Sequence, residues 1–168
     1  MVAMNDMDNV FKTVLSGVTV YITGQVILKI FLDPIVKLKE SIGSVNCTIV
    51  KFAHIIHNSK AGQHDQFDVV FSELRLQSGE LYAKYSAIPF YKFTRLMFGL
   101  PSQKNLFEAA RNLIALSNWM GQDNDNKVGF ILRNVHDLYS NLNLTIPPED
   151  KVDSALINKL IQSYISRA

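Results

Sequence analysis

The sequence predicts an all-α protein in which one N-terminal transmembrane helix continues into a cytoplasmic helical bundle of about five helices. Three observations support this fold class. An apolar stretch near the N-terminus has the length of a bilayer, apolar residues recur at helical spacing in the remainder, and no segment alternates like a half-buried strand. The 168 residues are enough for one domain together with an anchor.

The composition narrows the classes of function. Charged residues make up 19% of the chain, against about 25% in soluble domains, and the deficit is concentrated near the N-terminus. A net charge of +2 gives no support for nucleic-acid binding by bulk electrostatics. The single cysteine, Cys47, excludes an intramolecular disulfide framework, and we expect a buried structural thiol.

The predicted membrane anchor covers residues 13–32. No charged side chain occurs from Thr13 to Leu28, and three apolar residues follow Lys29 before Asp33 and Pro34. A helix of this length extends about 30 Å, which matches the hydrocarbon thickness of a bilayer. Because the segment also contains hydroxyl groups and one amide, a core helix of a soluble bundle is the main alternative. A cleaved signal peptide fits less well, since the chain starts with acidic residues.

The lysines on the two sides of the anchor predict its orientation. Asp6, Asp8 and Lys12 precede it, whereas several lysines follow it before residue 61. The positive-inside rule therefore places residues 1–12 outside as a short extracytoplasmic tail and residues 33–168 in the cytoplasm. The protein is predicted to cross the plasma membrane once.

One side of the anchor is suited to packing against another membrane helix. Small and apolar residues recur there at left-handed heptad spacing, with Gln25 on the flank; they are Thr13, Gly17, Val20, Gly24, Ile27 and Phe31. Glycines one heptad apart permit a close approach, and the glutamine amide requires a hydrogen-bond partner in lipid. The pattern predicts self-association or contact with another membrane protein. The alternative is that glycine and threonine are common in all membrane helices.

Beyond the anchor, an apolar stripe continues in the same phase from Ile35 to Ile56. It predicts either a coiled-coil stalk between protomers or packing on later helices of the same chain, and the apolar surface that follows favours the second interpretation. Further helices are predicted at about 65–87, from Ser102 to about Met120, around 130–142, and from about Glu149.

The segment 88–98 combines aromatic residues with cations. Lys92 and Arg95 lie within it, and Lys84 precedes it. Together with Lys29 at the inner end of the anchor, these cations predict contact with an anionic membrane surface. The alternative is a core helix with a few solvated cations.

Catalytic motifs are weak in this sequence. His54 and His57 are one helical turn apart with His64 downstream, so a metal-dependent enzyme is an alternative function. No cysteine or glutamate accompanies them at ligand spacing, and residues 123–126 begin like a calcium loop without its later glycine and glutamate. Phosphate-binding loops and nucleophile elbows do not occur in the sequence. We therefore predict no cofactor, no metal and no enzymatic activity.

Several short motifs are similar to those of a group of uncharacterised small bacterial membrane-anchored proteins. They are Gly24-Gln25 and Asp33-Pro34-Ile35 at the inner end of the anchor, residues 87–91, Leu100-Pro101-Ser102, and residues 108–118. The resemblance covers about Val14 to Trp119. It implies one N-terminal transmembrane helix, a helical cytoplasmic domain and a location in the bacterial inner membrane, and it implies no activity.

These patterns favour a membrane-anchored interaction or sensing module that is not an enzyme. In this hypothesis the bundle binds a partner or ligand and passes its state to the anchor through the continuous helix. A membrane effector of a bacterial defence system is a narrower form of the same hypothesis. The alternatives are the metal-dependent enzyme and a soluble helical bundle with no role at a membrane.

Overall fold

The computed structural model describes residues 2–58, 66–122 and 127–145, together with Ala155 and Gln162. Within these residues the protein is helical, with no strand, which confirms the predicted all-α class. The helices are α1 (Val2–Ile27), a π-turn (Leu28–Leu32), α2 (Asp33–Lys51), α3 (Ala53–Asn58), α4 (Phe67–Ser86), α5 (Tyr91–Phe98), α6 (Gln103–Met120) and α7 (Lys127–Asn141). The helix predicted from about Glu149 lies outside the described residues except for two positions.

The helices α1 and α2 are joined by the π-turn into one continuous rod. The Asp33 N–H donates to the carbonyl of Leu28, five residues earlier, which is the hydrogen bond of a π-helix. Pro34 explains this local widening, because proline has no N–H and its ring clashes with the carbonyl four residues before it. Pro34 lies in the first turn of α2, where its fixed backbone angle fits the helix.

The apolar stripe from Ile35 to Ile56 is buried within the chain, and it continues from α2 into α3 across a break at Phe52. Leu38, Val45 and Ile56 are each 0% exposed, and α2 packs on α4. The amide of Gln77 on α4 donates to the Thr48 hydroxyl at 2.6 Å, which adds a polar contact to the same interface. The stripe therefore packs on the protein's own helices, as the second interpretation predicts.

The helices α4 and α6 form the centre of the bundle, and α7 packs on the other side of α6. The buried Ala109 and Ala110 leave room for α4 to approach closely. At this crossing the Ser78 hydroxyl donates to the carbonyl of Ala110 at 2.9 Å. The predicted start of α6 is confirmed, since the Ser102 hydroxyl accepts a hydrogen bond from the Asn105 N–H at 3.0 Å.

Two short turns bracket α5 and hold it against the end of the bundle. Before it, α4 ends at Ser86 ahead of Pro89, as predicted. After it, Gly99 adopts φ +64°, a left-handed conformation that ends the helix. The Leu100 N–H then donates to the Arg95 carbonyl at 3.1 Å, which satisfies a terminal carbonyl of α5.

Candidate membrane interface

The helix α1 leaves the bundle without packing against it. One helix in the described part of the chain is long and apolar enough to cross a membrane; it covers Asn9–Lys51, and its most apolar 18-residue window contains no buried residue. Its 43 residues extend about 65 Å, twice the thickness of a hydrocarbon layer, so only part of it is needed to cross one. Val20 and Tyr21 are 70% and 68% exposed. An uncovered apolar surface of this length is unusual in a soluble monomer.

The threonine hydroxyls of α1 are satisfied within the helix. Thr13 donates to the carbonyl of Asn9 at 2.9 Å, Thr19 to that of Leu15 at 2.8 Å, and Thr23 to that of Thr19 at 2.8 Å. A hydroxyl that bonds the backbone four residues earlier does not need water as a partner. The threonines therefore do not oppose a hydrocarbon environment, although they lower the hydropathy of the segment.

The predicted packing face of α1 is open. A Cβ atom added to Gly17 or Gly24 would meet no atom within 4 Å, and Thr13 and Val20 are exposed. Glycine in a helix costs roughly 0.5–1 kcal/mol relative to alanine. The described part of the chain supplies no contact that requires glycine at these two positions.

Gln25 and Ile27, which also belong to this predicted packing face, lie at its C-terminal end. Gln25 is half-buried beside Lys29 and Tyr21, on a side of the rod that faces away from α5. Ile27 contributes to a groove shared with α5. The structure thus separates Lys29 from the cations on α5, with which the sequence grouped it.

The helix α5 turns one face to the bundle and the other to solvent. On the inner face the Tyr91 hydroxyl donates to the carbonyl of Pro101 at 2.8 Å, and burial raises the pKa of Tyr91 to about 12. The outer face carries large apolar side chains: Phe93 is 66% exposed, Leu96 85% and Met97 62%. The core-helix interpretation of residues 88–98 therefore holds for only one side of α5.

Phe90 begins α5 in a strained conformation. Its φ of 50° and ψ of 44° lie in the left-handed region, which a bulky residue adopts at a cost of about 1–2 kcal/mol. Its carbonyl accepts hydrogen bonds from the N–H groups of Phe93 and Thr94, so the strained residue opens the helix. The same turn leaves the Phe90 ring 77% exposed. The described part of the bundle leaves most of this ring uncovered.

An apolar groove lies between α5 and the part of the rod around the π-turn. Its volume is about 440 Å³. It is lined by apolar side chains from both elements, chiefly Ile27, Phe31 and Ile35 from the rod and Phe93, Met97 and Phe98 from α5. Because Ile27, Phe31 and Ile35 share this groove, the heptad phase is continuous across the π-turn, as predicted.

A basic hollow lies on the other side of Phe90 and Phe93, which line both spaces. It has a volume of about 600 Å³ and is lined by Lys92, Arg95 and Lys104, among others. Among the described residues, no carboxylate lies within ion-pair distance of any of these three cations. Lys104 was not singled out from the sequence, because it belongs to α6 and reaches α5 only through the fold.

Lys84 has a different environment from the cations of α5. Its ammonium group pairs with Glu80 one turn earlier at 2.7 Å. The hydrogen bond from Lys84 holds the pKa of the Glu80 carboxyl below its ordinary value of 4.5. Because its charge is already paired with Glu80, Lys84 contributes less than Lys92 or Arg95 to the attraction toward an anionic surface.

The remaining sequence candidates do not assemble into a site in the described residues. No group of three or more possible metal ligands occurs there; the side chain of His57, together with His64 and residues 123–126, lies outside them. His54 is exposed on α3. Cys47 is also exposed, so the expected buried thiol is wrong. It lies off the buried stripe of α2.

The chain matches no model of a protein family, no curated protein and no solved structure. Its own geometry supplies one distinctive arrangement. The uncovered apolar surface of α1 leads into the apolar groove and the exposed face of α5, and unpaired cations lie immediately beside them. The surface thus changes from apolar to basic. One leaflet of a membrane changes in the corresponding order, from apolar acyl chains to anionic headgroups.

Proposed function

We propose that the protein is a single-pass module of the bacterial inner membrane, which holds its helical bundle against the cytoplasmic leaflet and acts in interaction or sensing rather than in catalysis. The observation that carries this proposal is the uncovered apolar surface of α1, which continues into the exposed face of α5. In water this surface would remain solvated at a cost of about 25 cal/mol per Å². In a membrane the same surface is a source of stability.

The position of α5 fits this placement. When residues 13–32 span the hydrocarbon, Phe31 and Leu32 lie at its cytoplasmic edge, and they line the groove beside α5. The helix α5 then lies in the interfacial region with Phe93 and Met97 directed toward the acyl chains. The lysines that follow the anchor favour the same side as cytoplasmic, with residues 1–12 outside.

The interaction role rests on the open face of α1. A Cβ atom at Gly17 or Gly24 would meet no neighbouring atom of the described residues within 4 Å, and a membrane environment makes small residues the preferred contact between helices. The partner in this proposal is a second copy of the chain or another membrane protein. Because the rod from α1 to α2 is a single helix, a change of packing at the glycine face is transmitted directly to the bundle.

The natural Cys47 provides a test of topology, since it is the one cysteine of the sequence and is exposed on α2. We expect a membrane-impermeant maleimide to label Cys47 only after spheroplasts are permeabilised. The matched control is Met7→Cys in a Cys47→Ser chain, because Met7 is 75% exposed on the other side of the anchor. This control is expected to react in intact spheroplasts. Labelling of Cys47 in intact spheroplasts, or recovery of the protein without membranes, contradicts the proposal.

A further inference from the structure

We infer that the groove between the anchor and α5, together with the basic hollow next to it, forms a binding site for an anionic phospholipid. This inference rests on the proposed function, because it takes the lipid from the leaflet in which the anchor ends. Phe90 and Phe93 separate the two compartments and line both of them. An amphipathic ligand fits this division, with its acyl chain in the groove and its headgroup in the hollow.

The acyl-chain compartment is suited to a hydrocarbon. Its volume of about 440 Å³ lies within the range of about 300–1,000 Å³ that small-ligand sites occupy. The one hydroxyl in its lining, that of Thr94, is buried and already donates its proton to the carbonyl of Pro89 at 3.1 Å. The anchor supplies one wall, so a lipid enters the groove from the bilayer without crossing water.

The headgroup compartment is suited to an anion. Lys92, Arg95 and Lys104 approach it from two helices, and no carboxylate of the described residues lies within ion-pair distance of them. Lys104 also borders a polar hollow that contains Glu108 and Asp137. Each cation close to an anionic lipid surface raises the affinity for that surface by about fivefold. Exposed cations on α5 alone would favour any anionic surface. The third cation on α6 encloses one headgroup and makes the contact selective.

The conformation of Phe90 supports a lipid as the occupant. The left-handed backbone holds its ring outward between the two compartments. A lipid gives that ring apolar contact, which offsets the strain. A second copy of the chain is the competing occupant. Two copies meeting through this same face would bring two basic rims together, and such like-charge contact opposes a symmetric dimer there.

The test uses the full-length chain with Trp119→Phe and Phe93→Trp, so that its only tryptophan lies on the exposed face of α5. Trp119 stacks on Phe130, and phenylalanine preserves an aromatic ring at that position. The protein is reconstituted in vesicles of phosphatidylglycerol and phosphatidylcholine at one fixed ratio. Bromine on an acyl chain quenches tryptophan fluorescence. In one set of vesicles phosphatidylglycerol carries the bromine, and in a second set phosphatidylcholine carries it. We expect bromine on phosphatidylglycerol to quench the tryptophan fluorescence at least about twofold more strongly than bromine on phosphatidylcholine, since each cation contributes about fivefold in affinity.

Two charge variants identify the residues responsible. Lys92→Gln, Arg95→Gln and Lys104→Gln together are expected to abolish the difference between the two brominated lipids. The matched control removes the same charge elsewhere, through Lys51→Gln, Arg111→Gln and Arg133→Gln, which are exposed positions on α2, α6 and α7. This control is expected to retain the difference.

The outcomes separate this inference from the proposed function. Equal quenching by the two brominated lipids overturns the selective site. Absence of quenching by either lipid, in protein that still resists alkaline extraction from membranes, means that a second copy or the chain itself fills the groove. That result overturns the inference and leaves the proposed anchoring intact. Extraction of the protein at alkaline pH overturns both.

Discussion

A single charge in the middle of α1 distinguishes a membrane anchor from a helix in water. Ile22 lies about 14 Å from Thr13 and about 15 Å from Leu32 along the helix, so a lysine at this position reaches neither interface. Ile22 is 54% exposed, and Val50 on α2 is exposed to the same extent of 54%. Ile22→Lys and Val50→Lys are therefore a matched pair. They replace a β-branched apolar residue by lysine at equal exposure, and in the proposed topology lipid surrounds only the site at residue 22.

The two environments predict different magnitudes. Lysine at the centre of a membrane helix costs about 3 kcal/mol, and removal of isoleucine adds about 0.5 kcal/mol. The sum of about 3.5 kcal/mol lowers the insertion equilibrium roughly 400-fold. In water the same change at an exposed helical position remains within about 0.5 kcal/mol, and lysine is the slightly better helix former. Val50→Lys is expected to behave in this second way.

The assay is the fraction of protein that remains in the membrane pellet after extraction with alkaline carbonate. We expect the unaltered chain and Val50→Lys to remain in the pellet, and Ile22→Lys to appear mainly in the supernatant or to be degraded. Circular dichroism of the purified variants checks that the bundle is folded in each. Retention of Ile22→Lys at the level of Val50→Lys would refute the hydrocarbon location of residue 22.

Three further predictions concern packing, stability and charge. Gly17→Ile with Gly24→Ile is expected to weaken crosslinking between chains in membranes several-fold without changing the fold, since both positions are open within the chain. Leu113→Ala removes a side chain that is 0% exposed in the core, and we expect a loss of about 2–5 kcal/mol in the free energy of unfolding, measured by denaturant titration in detergent. Lys84→Gln is expected to raise the pKa of Glu80 toward 4.5 in an NMR titration. The stabilisation from this pair is present above pH 4.5 in the intact chain and is lost as the pH falls through the lowered pKa of Glu80.

The first two of these predictions each have a control variant. Thr19→Ile with Val26→Ile adds bulk on the other side of α1 and is expected to leave crosslinking intact; an equal loss in both pairs would contradict the glycine face. Ile114→Ala follows Leu113 directly but is 38% exposed, and a loss as large as that of Leu113→Ala would contradict the packing of α6. An unchanged pKa in Lys84→Gln would contradict the assigned partner of Glu80.

The helices could be predicted from the sequence because their signals are local. Ser102 caps α6, Gly99 ends α5, and Pro89 separates α4 from α5, each through its own backbone chemistry. The stripe from Ile35 to Ile56 is likewise a local periodic pattern, which the structure divides between α2 and α3. The position of Cys47 off this stripe also follows from spacing, so its exposure was predictable.

The groove at α5 could not be predicted in the same way. It depends on bringing Ile27 next to Met97, residues far apart in sequence, and periodicity within one helix contains no information on such a contact. From its sequence alone, the aromatic segment Tyr91–Phe98 is typical of a core helix, and only the fold shows which of its sides is covered. Lys84 and Glu80 are an exception, because a spacing of four residues on a helix is itself a signal for an ion pair.

A depth profile of α1 tests the location of residues 13–32 most directly. Single cysteines placed from Val14 to Phe31 in a Cys47→Ser chain carry spin labels, and the protein is reconstituted in bilayers. The ratio of collisions with oxygen to collisions with a polar nickel complex reports depth at each position. We predict a smooth maximum of this ratio near Ile22 that falls toward both ends of the segment. A flat profile with high access of the nickel complex throughout would place the helix in water.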